Sequence, residues 1–151
     1  MASVYEYPVD GFTPTAEDVA SVEAWFARYD DLAMKVDGEA MADMAMFPLN
    51  EVTDDSAGNG FAEQVTREEY VRQMAETMGA PGEVSMESVR KPIFLSKNLV
   101  FVVTDAVMTY GGQSHIARYG DLLVKKDGEW VFQTMVQGGW GDMRKAARQG
   151  A

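Results

Sequence analysis

Apolar residues first recur with a helical period. Val19, Val22, Phe26, Tyr29, Ala33 and Val36 are spaced by three and four, and Trp25 and Leu32 widen the stripe, as on a helix that buries one face. Thr15 with Asp18 has the capping-box spacing and places the helix start near Thr13-Pro14-Thr15; Asp37-Gly38 ends it. A short second helix turns Met41, Met44 and Ala45 inward, and Phe47 to Val52 reads as extended chain. Thr53 to Gly60 is a turn, since Asp54, Asp55, Ser56, Gly58 and Asn59 bond their own backbone or accept left-handed conformations. A third helix opens on the Thr66/Glu69 box, buries Tyr70, Val71, Met74 and Met78, and stops at Gly79 before the Ala80-Pro81-Gly82 break.

Beyond that break the period falls to two, predicting strands over 84–94, 98–110, 113–126 and 129–138. Gly111-Gly112 and Asp127-Gly128 are the pairs that two-residue hairpins require, so register follows by counting from each turn. Asp105 falls opposite Arg118, and Arg118 opposite Gln137. One face then carries Leu99, Phe101, Val103, Asp105, Val107, Ile116, Arg118, Gly120, Leu122, Val124, Val131, Gln133, Met135 and Gln137. The other carries Val100, Val102, Thr104, Ala106, Met108, His115, Ala117, Tyr119, Asp121, Leu123, Phe132, Thr134, Val136 and Trp140. The first face is assigned to the helices, with a cavity beneath Asp105, Arg118 and Gln137 and with Gly120 permitting curvature. The second, around Tyr119 and Phe132, is the outer face and is expected to meet a second subunit. Both faces are mixed, so the inverse assignment stays open. Helices followed by strands indicate an α+β fold: three N-terminal helices on a strongly curved antiparallel sheet, preceded by an arm over residues 1–13.

The chain has 151 residues, enough for a real core: folding at this length buries roughly 70% of the extended-chain surface. It contains no cysteine and a single histidine, His115, which excludes disulfides, thiolate zinc sites, cysteine nucleophiles and multi-histidine metal sites. A formal charge of −11 argues against nucleic acid or an anionic membrane as partner. Glu6 and Asp10 precede any basic residue, and no apolar run reaches the roughly 18 residues of a membrane span, so a cytoplasmic protein is expected. The eleven methionines suit irregular core filling, or a cavity that grips a ligand. No phosphate-cradling glycine loop or metal-ligand cluster occurs, so no cofactor and no metal are expected.

Ala27-Arg28-Tyr29, Phe47-Pro48, the run Val52-Thr53-Asp54-Asp55-Ser56-Ala57-Gly58 and Lys126-Asp127-Gly128-Glu129-Trp130, in this layout over residues 15–140, resemble the nuclear transport factor 2-like superfamily with its SnoaL-like polyketide cyclases and ketosteroid isomerases. The resemblance implies a cone-shaped, cystatin-like α+β barrel forming one domain over residues 14–151. It also implies a helix-one tyrosine that donates to an oxyanion, matched by Tyr29, and an aspartate before a glycine turn that moves a proton, matched by Asp55. The assisting acid of the sheet falls on Leu122, with Asp121 one residue off and on the opposite face; Arg118 is the candidate for positive charge instead. Tyr29 and Asp55 are thus the catalytic candidates, and Trp25, Asp54, Phe101, Asp105, Arg118, Met135 and Gln137 the candidate ligand contacts. The expected activity is a cofactor-independent isomerase, cyclase or hydratase acting on a hydrophobic carbonyl compound. The alternative is a non-catalytic module that binds a small hydrophobic or anionic ligand or dimerises through the outer sheet face.

Overall fold

The computed structural model describes residues 12–77 and 84–149; the expectations for residues 1–11, for Met78 and Gly79 and for the Ala80-Pro81-Gly82 break lie outside the described residues. Helix α1 spans Ala16–Met34, and its Thr15/Asp18 box closes in both directions, at 2.8 and 3.1 Å. It is followed by α2 (Gly38–Ala42), β1 (Ala45–Asp54), β2 (Gly60–Val65), α3 (Arg67–Thr77), β3 (Val84–Ser96), β4 (Leu99–Tyr110), β5 (Gln113–Lys126), β6 (Glu129–Val136) and α4 (Gly141–Gln149). The six strands form one curled sheet in the order β2-β1-β6-β5-β4-β3, antiparallel throughout except for the parallel β1–β6 pair. Strand β2 and helix α4 carry no sequence expectation: the strand has six residues, and the helix pattern is mostly polar.

Both hairpins form as the turn pairs require. Gly111, Gly112, Asp127 and Gly128 all have positive φ, Tyr110 faces Gln113, Lys126 faces Glu129, and Asp105 faces Arg118. The β5–β6 ladder then slips. Leu123 faces Phe132 but Leu122 faces Thr134, which leaves Gln133 as an extra residue. A one-residue bulge reverses the faces of everything beyond it, so Met135, opposite Asp121, turns to the concave side while Val136 turns away.

The helices cover the face that holds Val100, Val102, Thr104, Ala106, Leu123 and Phe132, all buried. This corrects the sequence assignment, which placed Phe101, Asp105 and Arg118 beneath them. Those three residues lie on the convex side, where the Arg118 side chain is 74% exposed and Asp105 40%. Trp25 and Tyr29 of α1 meet Phe132 edge-on and Phe26 is buried beside them in the same cluster, an apolar contact that the ion-paired face could not offer. Tyr119 and Phe132, expected at a subunit contact, therefore point inward.

Gly120 lies directly under the Phe101 ring on the convex side. A Cβ there would lie 2.5 Å from Phe101 Cζ, so the ring must move to admit it. Gly120→Ala is expected to destabilise the fold by about 1–3 kcal/mol, as overpacking does, and Phe101→Leu should recover most of that loss. Denaturant unfolding of both single variants and the double variant reads this coupling; additive effects would deny the contact.

Candidate functional site

Curling leaves a hollow that the helices do not fill. A cavity of about 470 Å³ lies between α1, α3, the concave face of β3–β6 and the start of α4. Methionine lines most of its apolar wall, from Met34, Met41, Met74, Met86, Met108, Met135 and Met143. Such a wall adapts to the shape of its contents. The polar groups that face it include Tyr29, Asp30, Arg90, Tyr119, Asp121 and Arg144, with Thr77 and Gln137 at its edge.

Asp121 is the central one. It is 7% exposed, it faces the cavity, and among the described residues no donor is hydrogen-bonded to its carboxyl. Burial raises its pKa from the ordinary 3.8 to about 7; nearby Arg90 pulls the other way and Asp30 adds a further push upward. A carboxyl poised near neutrality can take a proton and give it back at physiological pH. Tyr29 faces the same cavity. Its ring is clamped between Trp25, stacked at 5.2 Å, and the edge of Phe132 at 5.3 Å, and its hydroxyl lies 2.8 Å from that of the fully buried Tyr70. Burial drives the Tyr29 pKa well above its usual value, so the group stays a neutral hydrogen-bonding phenol.

A second polar cluster joins α1 to the sheet. Arg90 donates to both carboxyl oxygens of Asp30 at 2.5 and 2.9 Å, to Thr104 Oγ1 at 3.2 Å and to the Tyr119 hydroxyl at 3.3 Å, with its guanidinium 4.2 Å from the Phe26 ring centre. At the far end of the cavity, α4 brings Arg144 against Glu51 and Glu63 on the concave face of β1–β2, and Trp140 closes the wall.

The structure brings Tyr29, Met135 and Gln137 to the cavity, the last two only because of the bulge at Gln133. Trp25 backs Tyr29 from outside the cavity wall and donates to the Trp130 carbonyl at 3.0 Å. Asp54 and Asp55 are held elsewhere. Asp54 accepts from the Gly139 N–H at 2.6 Å; Asp55 accepts from Ala57 and Asn59 at 3.0 and 2.9 Å and pairs with Lys145 of α4. Both serve the β1–β2 turn and the docking of α4, as their turn chemistry allows. Asp105 and Arg118 pair with each other on the convex face at 2.6 Å, and Phe101 packs there under Gly120. Sequence reasoning passed over Asp30, Arg90, Tyr119, Asp121 and Arg144. Asp121 and Tyr119 were legible as neighbours on one face, but that face was assigned outward; the Arg90–Asp30 contact spans 60 residues and has no local signal. Among the described residues no three His, Asp or Glu side chains gather closely enough to hold a metal ion, and no helix is long and apolar enough to cross a membrane.

A raised carboxyl is also a stability statement. The folded chain binds the Asp121 proton more tightly than the unfolded chain does, so that stabilisation is complete below about pH 4 and is lost as pH rises through 7, to a total on the order of 4 kcal/mol. Asp121→Asn cannot titrate. Its stability relative to the parent is expected to rise between pH 4 and pH 8, read by thermal unfolding at both values; a pH-independent difference would mean that the carboxyl is not raised.

No family model and no curated protein matches the sequence. Solved structures do match the fold. An NTF-2 like protein of unknown function from Shewanella oneidensis superposes with a TM-score of 0.64 at 13% identity, over 80% of this chain and 98% of that one. A ketosteroid isomerase-like protein from Erwinia carotovora atroseptica gives 0.56 at 18% identity, over 82% and 97%. A protein from Catenulispora acidiphila in complex with S-DNPA gives 0.56 at 18% identity, over 88% and 99%. The order of helices and strands, the curled open sheet and these superpositions agree, and the chain has the fold of the nuclear transport factor 2-like superfamily.

Proposed function

We propose that this chain performs acid–base chemistry on a small hydrophobic carbonyl compound without a cofactor, as an isomerase, cyclase or hydratase, with Asp121 in the role that the sequence had suggested for Asp55. The observation that carries this reading is the Asp121 carboxyl, buried, with no donor hydrogen-bonded to it among the described residues, facing a methionine-lined cavity. In the ionised form it takes a proton from the carbon beside the carbonyl. The C–H electron pair becomes a C=C bond, the carbonyl pair moves onto oxygen, and the enolate oxygen accepts a hydrogen bond from Tyr29. Tyr70 can donate to Tyr29 and so free the Tyr29 proton for that bond. Return of the Asp121 proton to a different carbon completes an isomerisation; departure of a β-hydroxyl, with that proton, completes a dehydration. The ketosteroid isomerase-like neighbour favours the same reading.

2-Tetralone serves as the test compound. Incubated in D2O with the protein, its α-protons are expected to exchange faster than in buffer alone, the acceleration rising through a midpoint near pH 7, and Asp121→Asn should reduce it about 100-fold or more. Proton NMR follows the exchange. Binding without exchange would identify the non-catalytic ligand-binding module instead.

We further propose that the convex sheet face pairs with a second copy of the chain. Ile93, Leu95, Val107 and Ile116 stand exposed on it, Ile116 at 87%, an apolar surface around the Asp105–Arg118 pair. Ile93→Lys with Ile116→Lys is expected to give a monomer by sedimentation, with the cavity intact. A dimer that survives both substitutions would place the contact elsewhere.

A further inference from the structure

The Arg90 cluster contains a donor that no protein acceptor uses well. A guanidinium has N–H groups and no acceptor, so in the 3.3 Å contact with Arg90 the Tyr119 oxygen must accept, and its own proton must point elsewhere. The only other partner of that hydroxyl among the described residues is the Met86 sulfur at 3.9 Å, a weak acceptor. Tyr29 differs, since its hydroxyl meets Tyr70 at 2.8 Å. Tyr119 lies two residues from Asp121 on the concave face of β5, and Tyr29 lines the same cavity as both. Arg90 is itself fixed. Asp30 holds it through two hydrogen bonds, Thr104 takes its Nε–H, and the Phe26 ring lies against it. Four of its donor contacts are therefore spent within the protein, which leaves it unsuited to grip an anion but well placed to orient a neighbour.

We infer that Tyr119 supplies a hydrogen bond to the carbonyl oxygen of the bound compound, converging with Tyr29 on the developing charge, and that Arg90, held by Asp30, is the positioning residue that turns the Tyr119 proton into the cavity. The inference rests on the carbonyl reading above. It places one of the two oxygen donors on the sheet, next to Asp121, and it narrows the substrate to a compound whose carbonyl oxygen and acidic C–H reach neighbouring side chains of one strand. When such an oxygen arrives, it replaces the Met86 sulfur as acceptor, while the Arg90 contact polarises the phenol and strengthens its donation.

The test reads the hydrogen bond directly, from the carbonyl stretch of carbonyl-13C-labelled 2-tetralone in difference infrared spectra. Bound to the parent protein, the band is expected below its position in hexane. Tyr119→Phe, which keeps the ring, should move the band back toward the hexane value and weaken binding roughly 2- to 12-fold, the range of one neutral hydrogen bond. Asp30→Asn with Arg90→Met, which removes both charges together, should move it part of the way while Tyr119 remains. An unshifted band in Tyr119→Phe, with circular dichroism unchanged, overturns the inference even if Asp121→Asn still abolishes deuterium exchange. If instead Met135→Trp, which fills the cavity, leaves 2-tetralone binding unchanged, the carbonyl-site reading fails and this inference fails with it.

Discussion

Contact between the aromatic stripe of α1 and the Leu123–Phe132 region of the sheet selects which side of the sheet is buried, and the rest of the molecule follows from that choice. Phe26, Trp25 and Tyr29 are tied into one ring cluster with Phe132 and Tyr70, and a cluster of such area is the largest apolar contribution either face could make. With that face inward, the strongly curled sheet cannot be filled to its end by α1 and α3. The remaining hollow is where Tyr119, Asp121 and, after the bulge at Gln133, Met135 and Gln137 point. Site and fold are one decision.

Charge is handled in three ways, and the differences separate support from chemistry. Arg118 and Asp105 pair in water on the convex face, where solvent screens the attraction. Arg144 pairs with Glu51 and Glu63 at the rim of the hollow, where Glu51 is 3% exposed; removing one partner of a pair so buried costs about 3–5 kcal/mol, so α4 is bound to the body by it. Lys145 with Asp55 and Arg148 with Glu63 extend the same ionic contact along the helix. Asp121 faces the cavity, and among the described residues no donor is hydrogen-bonded to its carboxyl. Burial outweighs the pull of Arg90 and raises its pKa to about 7. That shifted carboxyl beside a cavity is the observation on which the proposed acid–base role rests.

The first three helices, the caps of the first and third, and both hairpins were legible in the sequence because each rests on interactions between residues close along the chain. The Thr15/Asp18 and Thr66/Glu69 boxes span three residues, and the two-residue turns need only left-handed backbone at four positions. Asp105 opposite Arg118 was therefore countable. The Arg118–Gln137 pairing was not, since one extra residue in β6 changed the register, and nothing in the local sequence around Gln133 announces a bulge. Tyr29 was singled out by the resemblance, and the structure places it on the cavity wall. Asp121 was noted one residue from the position implied for the sheet acid, and the inverted face assignment turned it away from the cavity it lines.

The sequence by itself determined the first three helices, the extended chain after the second and the four strands beyond the third, how the β4–β5 hairpin is registered, and that the chain holds no thiol and no histidine cluster, because these follow from residue type and neighbours a few positions apart. Tertiary structure alone decided which face lies under the helices, that Asp121 faces a cavity with no hydrogen-bond donor on it among the described residues, and that Arg90 meets both Asp30 and Tyr119. Those outcomes turn on free-energy differences between two mixed faces and on contacts as far as 60 residues apart along the chain, where alternation along a strand holds no information about which side faces water.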